Sequence, residues 1–290
     1  MDREPPGLSA PSAAAMTYDA FNEYERTMWE QRAAGYADSF EVLTTITVEP
    51  LLDAVGATRD TALLDIGTGP GFVAAAAVAR GASVDGLDVA EAMVALASAR
   101  VPEARFRAGS AEAMPFADGT FDAVVGNFVL LHVGYPDRAI AETRRVLRPG
   151  GRCAFTVWEP AAENRAIGVF HDAIARAGVE AVSAPVADAP GFEALADRDA
   201  FTELLTNAGL VDARVEPFRS TLRVDPDTWW TSTLRSTPRT GALIERQTDA
   251  VRARIRAEYD ALVAPYAGGD GPEAQLPVAA VLASAVAPSA

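Results

Sequence analysis

The chain has 290 residues, 49% of them hydrophobic, enough to bury one large core and carry a cap on it. Its formal net charge of −15 argues against a nucleic-acid partner or an anionic membrane surface, since both present phosphates that such a surface repels. A single cysteine, Cys153, leaves no internal disulfide and too few thiols for a Cys-rich metal site, and no metal is expected.

The first 15 residues, rich in Pro, Ala and Ser, have no apolar period and read as a disordered tail. There is no basic start followed by an apolar run and no stretch of ~20 apolar residues, so a protein working in the cytoplasm is expected. From residue 16 to 55 apolar and aromatic side chains (Phe21, Met28, Trp29, Tyr36) recur at helical spacing and predict lid helices. Strand-like and helical runs then alternate: TALLDIG, a helix over Val73–Arg80, SVDGLDV, a helix over Glu91–Arg100, ARFRAG, FDAVVGNFV, a helix over Asp137–Leu147, a turn at Arg148–Gly151 and CAFTVW. That alternation predicts an α/β, Rossmann-like, doubly wound sheet over residues 58–160.

Beyond Trp158 the rhythm loosens into two cap insertions, 161–195 and 226–266. Between them lie a helix over Asp199–Ala208, with Gly209 as its C-cap, and a sixth strand, VDARVEPFRSTLRV. LPVAAVLASAVA, residues 276–287, is an apolar run suited to a last inner strand.

The chemistry concentrates in LLDIGTGPG, Leu63–Gly71, where a buried strand ends in an acid and passes through three glycines into a helix. Gly67, Gly69 and Gly71 allow a tight turn and let a ligand touch the backbone around Thr68. A dinucleotide fingerprint needs its last glycine one position later, at Phe72, and holds an anionic pyrophosphate. Asp65 beside the loop disfavours such an anion and suits a ligand bearing ammonium and sulfonium groups. Asp88, about twenty residues on, stands where an acid accepts hydrogen bonds from ribose hydroxyls. Each acid alone also fits a helix cap or a turn, whereas their joint placement favours a ligand.

Together LLDIGTGPG, GLDVAEAM, AGSAEAMPFADGTFDAVVGNFVLLHV and RRVLRPGGR resemble the class I S-adenosylmethionine-dependent methyltransferases, particularly the ubiquinone/menaquinone C-methyltransferase group, over about Trp29–Trp158. The resemblance implies a seven-stranded sheet whose last strand is antiparallel, in one methyltransferase domain over residues 16–290. It implies S-adenosylmethionine as cofactor, S-adenosylhomocysteine as product and a small-molecule acceptor. Gly67, Gly69 and Gly71 would line the methionine part with Asp65 and Thr68 nearby, Asp88 would hold the ribose, and Val89 and Met93 would pack on the adenine. Family members often carry Asp at the position of Ser110. Here the Ser110 hydroxyl and the Ala111 amide, with Glu112 beside them, would serve the adenine. Tyr36 resembles a lid tyrosine.

His132, just past the fourth strand, is the candidate catalytic base, with a loop histidine bonded to a carbonyl as the plainer alternative. Asn127, ending that strand, reads as a cofactor contact or a turn residue. Trp29, Trp158, Trp229 and Trp230, with His132, are candidates for the acceptor pocket, although ordinary core packing accounts for each tryptophan singly. The charged helix over residues 242–263 fits an exposed face or a homodimer contact. Two other readings stay open. One is a protein that binds S-adenosylmethionine without transfer, as a cyclase, sensor or scaffold. The other is a nicotinamide-dependent oxidoreductase, disfavoured by Phe72 and by a sequence without lysine, which lacks a catalytic Tyr and Lys pair.

Overall fold

The computed structural model describes residues 17–39, 41–180, 195–237, 239–268 and 272–289. The tail at 1–15 and much of the first cap insertion, 181–194, lie outside the described residues.

Helix α1 (Tyr18–Ser39) opens the fold, followed by the short α2 (Glu41–Thr44), a 3-10 turn at Thr45–Thr47 and α3 (Val48–Ala54). The core alternates β1 (Ala62–Ile66), α4 (Phe72–Ala79), β2 (Ser83–Asp88), α5 (Glu91–Arg100) and β3 (Arg105–Ala108). It continues with β4 (Phe121–Asn127), a 3-10 turn at Val129–His132, α6 (Pro136–Val146) and β5 (Leu147–Trp158). Next come α7 (Arg165–Arg176), α8 (Arg198–Asn207), β6 (Val211–Val224), α9 (Pro226–Ser236), α10 (Thr240–Glu245), α11 (Asp249–Val263) and β7 (Ala274–Val286).

Seven strands form one sheet in the order β3-β2-β1-β4-β5-β7-β6. The first five are parallel, and β7 inserts antiparallel to both β5 and β6. The expected seven-stranded α/β sheet with its antiparallel last strand is thus present. The strand order reverses between β1 and β4, and at such a switch point open α/β sheets bind ligands beyond the carboxyl ends of their strands.

Strand burial explains the runs seen in the sequence. Leu63, Leu64, Asp65 and Ile66 of β1 are all fully buried because helices cover both faces of the sheet. One face packs with α6 and α8 through Ile140, Val146, Phe201 and Leu205, the other with α3 and α4 through Leu51, Leu52, Val73 and Ala77. Helix α6 starts with Pro136 and Asp137 and ends with Arg144 and Arg145, matching its dipole at both ends. Asp197, Asp225 and Thr248 cap α8, α9 and α11 by accepting from backbone amides three residues on.

One boundary differs from expectation. The Arg148–Gly151 segment does not precede β5 as a separate turn but lies within it. Leu147 pairs with Phe121 and the ladder resumes at Arg152 opposite Ala123, so the intervening residues form an irregularity with Gly150 at φ +78°.

A third core joins α7, α9 and α11 to β7 through Phe170, Trp229, Ile255, Tyr259 and Leu276. Helix α1 lies across the carboxyl side of the sheet, where Ala33 packs with Ala90 and Met93.

Candidate cofactor and acceptor site

A cavity of about 370 Å³ opens at the switch point, between α1 and the carboxyl ends of β1, β2, β3 and β4. That lies in the range of small-ligand sites, roughly 300–1,000 Å³.

The bend after β1 forms its floor. Gly67 and Gly69 both line the cavity and hold φ of +62° and +53°, a region that L-residues enter at a cost. A Cβ on Gly67 would stand 2.4 Å from Cγ2 of Val129, whereas one on Gly69 would meet nothing within 4 Å. Gly67 is therefore required by packing, while Gly69 faces open space. Gly71, the third glycine, does not line the cavity: it precedes α4 and turns toward Ala97.

Asp65 and Thr68 lie behind the bend, fully or nearly fully buried and not in the cavity wall. The Thr68 hydroxyl donates to Oδ2 of Asp65 at 2.6 Å, and Oδ1 of Asp65 has no hydrogen-bond partner. Burial, with the Asp88 carboxylate adding to it, pushes the Asp65 carboxyl up to about 7. Asp88 lines the cavity and is itself raised by burial, an effect opposed by backbone amides: Ala90 donates to Oδ1 at 3.0 Å and Gly69 to Oδ2 at 2.9 Å. Two carboxyls thus flank the bend, and among the described residues neither forms an ion pair with an arginine.

The remaining walls come from several elements. Val89 and Met93 follow β2, and Ser110, Ala111 and Glu112 follow β3. The Ser110 hydroxyl accepts from the Glu112 amide at 3.1 Å. Asn127 lines the cavity but is tied into the scaffold: Oδ1 accepts from Thr47 at 2.8 Å and Thr156 at 2.6 Å, and Nδ2 donates to the Thr44 carbonyl at 2.9 Å.

Helix α1 supplies the opposite wall. Trp29 packs edge-on to Tyr36 at 5.3 Å and to His132 at 4.9 Å between ring centroids, and all three line the cavity. The Tyr36 hydroxyl, hydrogen-bonded to Thr44, is pushed up to about 12 by burial. Asn22 fastens the helix to the core. Its Nδ2 donates to both oxygens of Glu112 at 2.9 Å and its Oδ1 accepts from the Gly134 amide at 2.7 Å.

His132 lies in the 3-10 turn after β4 with its side chain 28% exposed. Its Nδ1 lies 2.8 Å from Oε2 of Glu25, within hydrogen-bond distance, and Oε1 of Glu25 accepts from Arg239 at 2.7 Å. Glu25 is only 1% exposed. Burial alone would raise its carboxyl, but the charges and hydrogen bonds of His132 and Arg239 hold it down at about 2.

The other tryptophans are not in the cavity wall. Trp158 stacks on Phe128, with ring centroids 3.5 Å apart, and it is Phe128, at φ +60°, that faces the cavity. Trp229 and Trp230 belong to the third core. Trp229 is buried and donates its Nε1–H to the Ala166 carbonyl at 2.9 Å, and Trp230 packs on Phe170 and Tyr259. Aromatics in late segments serve packing there because β7 carries that end of the sheet away from the switch point.

Sequence reasoning missed Asp19, Asn22, Glu23, Arg26 and Phe128 in the wall, and Glu25 and Arg239 behind it. Glu25 had a signal: it falls on the apolar stripe of α1, four residues after Phe21 and three before Met28. Among the described residues no cluster of His, Cys, Asp or Glu forms a metal site, and no helix is long and apolar enough to cross a membrane.

Residues 64–155 match the family model described as a methyltransferase domain. The demethylmenaquinone methyltransferase of Chlorobaculum tepidum is 33% identical over 169 residues, which cover 55% of this chain and 69% of that protein. The chain therefore belongs to the class I S-adenosylmethionine-dependent methyltransferase family, of the quinone C-methyltransferase type. The demethylmenaquinone methyltransferase of Renibacterium salmoninarum is 40% identical over 102 residues, 35% of this chain, and the chain spans only 43% of that relative's length. Among solved structures, a phosphoethanolamine N-methyltransferase 2 of Haemonchus contortus, in complex with phosphomonomethylethanolamine and S-adenosylhomocysteine, has the same fold. It is 17% identical with a TM-score of 0.55, over 93% of this chain and 60% of that one.

Proposed function

We propose that this protein transfers a methyl group from S-adenosylmethionine to a C, N or O nucleophile of a small molecule, a quinone-like ring or a secondary metabolite, and releases S-adenosylhomocysteine. One observation carries the reading: the glycine bend at the switch point lies between two buried carboxyls, Asp65 and Asp88, and opens onto the cavity under α1. The donor set fits that cofactor. Asp88, whose carboxylate is supported by two backbone amides, presents acceptor oxygens in the wall to a ligand bearing hydroxyl donors and positive charge, and the open space at Gly69 admits that ligand against the backbone. Phe72 at the position of the last dinucleotide-fingerprint glycine, and a sequence without lysine, disfavour the nicotinamide reading.

When bound, the cofactor supplies an electrophilic methyl carbon on a sulfonium leaving group. The chain's residues do the rest. Asp88 has acceptor capacity left for ribose hydroxyls, and Val89, Met93, Ser110 and Ala111 form an adenine wall. Trp29 and Tyr36 exclude water over the reacting end, so that alignment, with effective molarities on the order of 10⁵ to 10⁸ M, supplies most of the acceleration. His132 takes the proton where the acceptor must lose one. In this reading residues 16–55 are a lid and 226–266 a cap, and the charge of −15 suits soluble small-molecule partners in the cytoplasm.

Calorimetric titration with S-adenosylmethionine and S-adenosylhomocysteine tests the site, and release of S-adenosylhomocysteine on addition of a quinol acceptor tests transfer. Absence of heat with both ligands overturns the reading. Binding without product from any acceptor class assigns the chain to proteins that hold the cofactor without transfer.

A further inference from the structure

Glu25 is an acid where α1 otherwise buries apolar side chains, and a buried carboxylate survives only if both its oxygens are bonded. Here they are divided. Oε2 faces Nδ1 of His132 at 2.8 Å, and Oε1 accepts from Nη2 of Arg239 at 2.7 Å and from its Nε at 3.2 Å. Arg239 comes from the segment between β6 and β7 and also reaches the Leu131 carbonyl, one residue before His132, at 3.4 Å. Trp29 packs edge-on against the imidazole, with the ring planes at 87°. Two separate parts of the chain, α1 and the segment carrying Arg239, thus fix one ring.

We propose that Glu25 is a positioning residue that, braced by Arg239, holds His132 as the Nδ1–H tautomer and so keeps the Nε2 lone pair for a proton from the acceptor. The inference rests on the methyl-transfer reading of the cavity. A carboxylate has no hydrogen to give, so the ring nitrogen facing it must be the donor. Nε2 then takes the proton of the acceptor's O–H, N–H or acidic C–H, and the resulting imidazolium faces the Glu25 carboxylate. After product leaves, that proton passes to water. Asp88 is the other acid whose charge reaches the imidazole, and it lies on the cofactor side of the cavity.

The chemistry of the brace predicts what Glu25→Gln does. An arginine offers donors only, so the single amide oxygen of Gln faces Arg239 and its NH₂ faces His132. Nδ1 must then accept, and the ring proton moves to Nε2, where it blocks the base. Because the chain contains two histidines and His171 lies on α7 outside the cavity, nitrogen-15 correlation spectra of the imidazoles resolve His132.

The ligand-free wild-type protein should show His132 as Nδ1–H at high pH. Glu25→Gln should show Nε2–H, with kcat lowered roughly a hundredfold and the S-adenosylmethionine dissociation constant within about threefold of wild type. Glu25→Asp should restore part of both signals. Wild-type His132 in the Nε2–H form overturns the proposal without any variant, as does an unchanged tautomer in a folded Glu25→Gln protein. The tautomer needs no cofactor, so a silent calorimetric titration beside an Nδ1–H signal defeats the transfer reading alone, and normal cofactor binding beside an Nε2–H signal defeats this inference alone.

Discussion

The backbone amide of Gly69 donates a 2.9 Å hydrogen bond to Oδ2 of Asp88, which ties the bend after β1 to the acid that ends β2. The contact makes the two strongest sequence features one structural unit. It also separates two glycines that look alike in the sequence. Gly69→Arg should leave a folded protein that no longer binds S-adenosylmethionine, because its side chain enters open cavity space; the backbone cost at φ +53° is about 1–2 kcal/mol. Gly67→Ala should instead lose stability, by a further ~1–3 kcal/mol of overpacking, because its Cβ would sit 2.4 Å from Val129. Urea unfolding and calorimetric titration on both variants check this. Unchanged cofactor affinity in Gly69→Arg would count against the site.

Asp65 predicts an inverted pH dependence in the ligand-free protein. Its carboxyl moves from 3.8 to about 7 on folding, so between those values the folded state holds a proton that the unfolded state has released. Stability from this group is complete below 3.8 and is lost as pH rises through 7, by on the order of 4 kcal/mol. Glu25 acts oppositely: held at about 2, it contributes above 4.5 and loses its contribution as pH falls through 2. Asp65→Asn should therefore flatten the decline between pH 4 and 7 and leave the variant more stable than wild type above pH 7. Unfolding free energies measured across that range decide it, and parallel curves for the two proteins would sink the idea.

Local signals explain what the sequence disclosed. The inner strands, the glycine bend and Asp88 are each written in contiguous residues, because a strand covered on both faces must be apolar and a tight turn must carry glycine. Even the antiparallel β7 left a readable run in Val278–Ala283. Long-range placement was not written there. Trp229 and Trp158 are aromatic at sites where a pocket and a core impose the same demand, and only the position of β7 and the stacking on Phe128 distinguish them. Glu25 meets His132 across 107 positions of chain and Arg239 across 214, distances over which no periodicity carries information.

Asn22 predicts how the lid is held. Its amide joins Glu112 and the Gly134 backbone to α1, so Asn22→Ala removes three hydrogen bonds and leaves the partly buried Glu112 dependent on the Tyr135 amide. Loss of a partner from such a charged group costs about 1–3 kcal/mol. Amide exchange over residues 18–29 should accelerate while the sheet stays protected, and the cofactor dissociation constant should rise about tenfold. Unaltered exchange in α1 would show that Trp29 and Tyr36 hold the helix by packing alone.

The charge of the cavity wall predicts which acceptors are refused. Asp19, Glu23, Asp88 and Glu112 line it against one guanidinium, Arg26, which is already bonded to Glu23, while Arg239 behind the wall is engaged by Glu25. A carboxylate or phosphate on the acceptor would approach several like charges with no partner to neutralise it, a juxtaposition that lowers affinity and encounter rate. In a pair of acceptors differing only by one carboxylate, the neutral member should have a kcat/KM higher by a factor of about ten at low salt. Asp19 and Glu23 are exposed, so their share is screened. The ratio should narrow as salt rises from 0.01 M to 1 M and the Debye length falls from about 30 Å to about 3 Å. Asp19→Asn with Glu23→Gln should narrow it at low salt as well, whereas preference for the anionic member at every ionic strength would mean that Arg26 leaves Glu23 to receive the substrate.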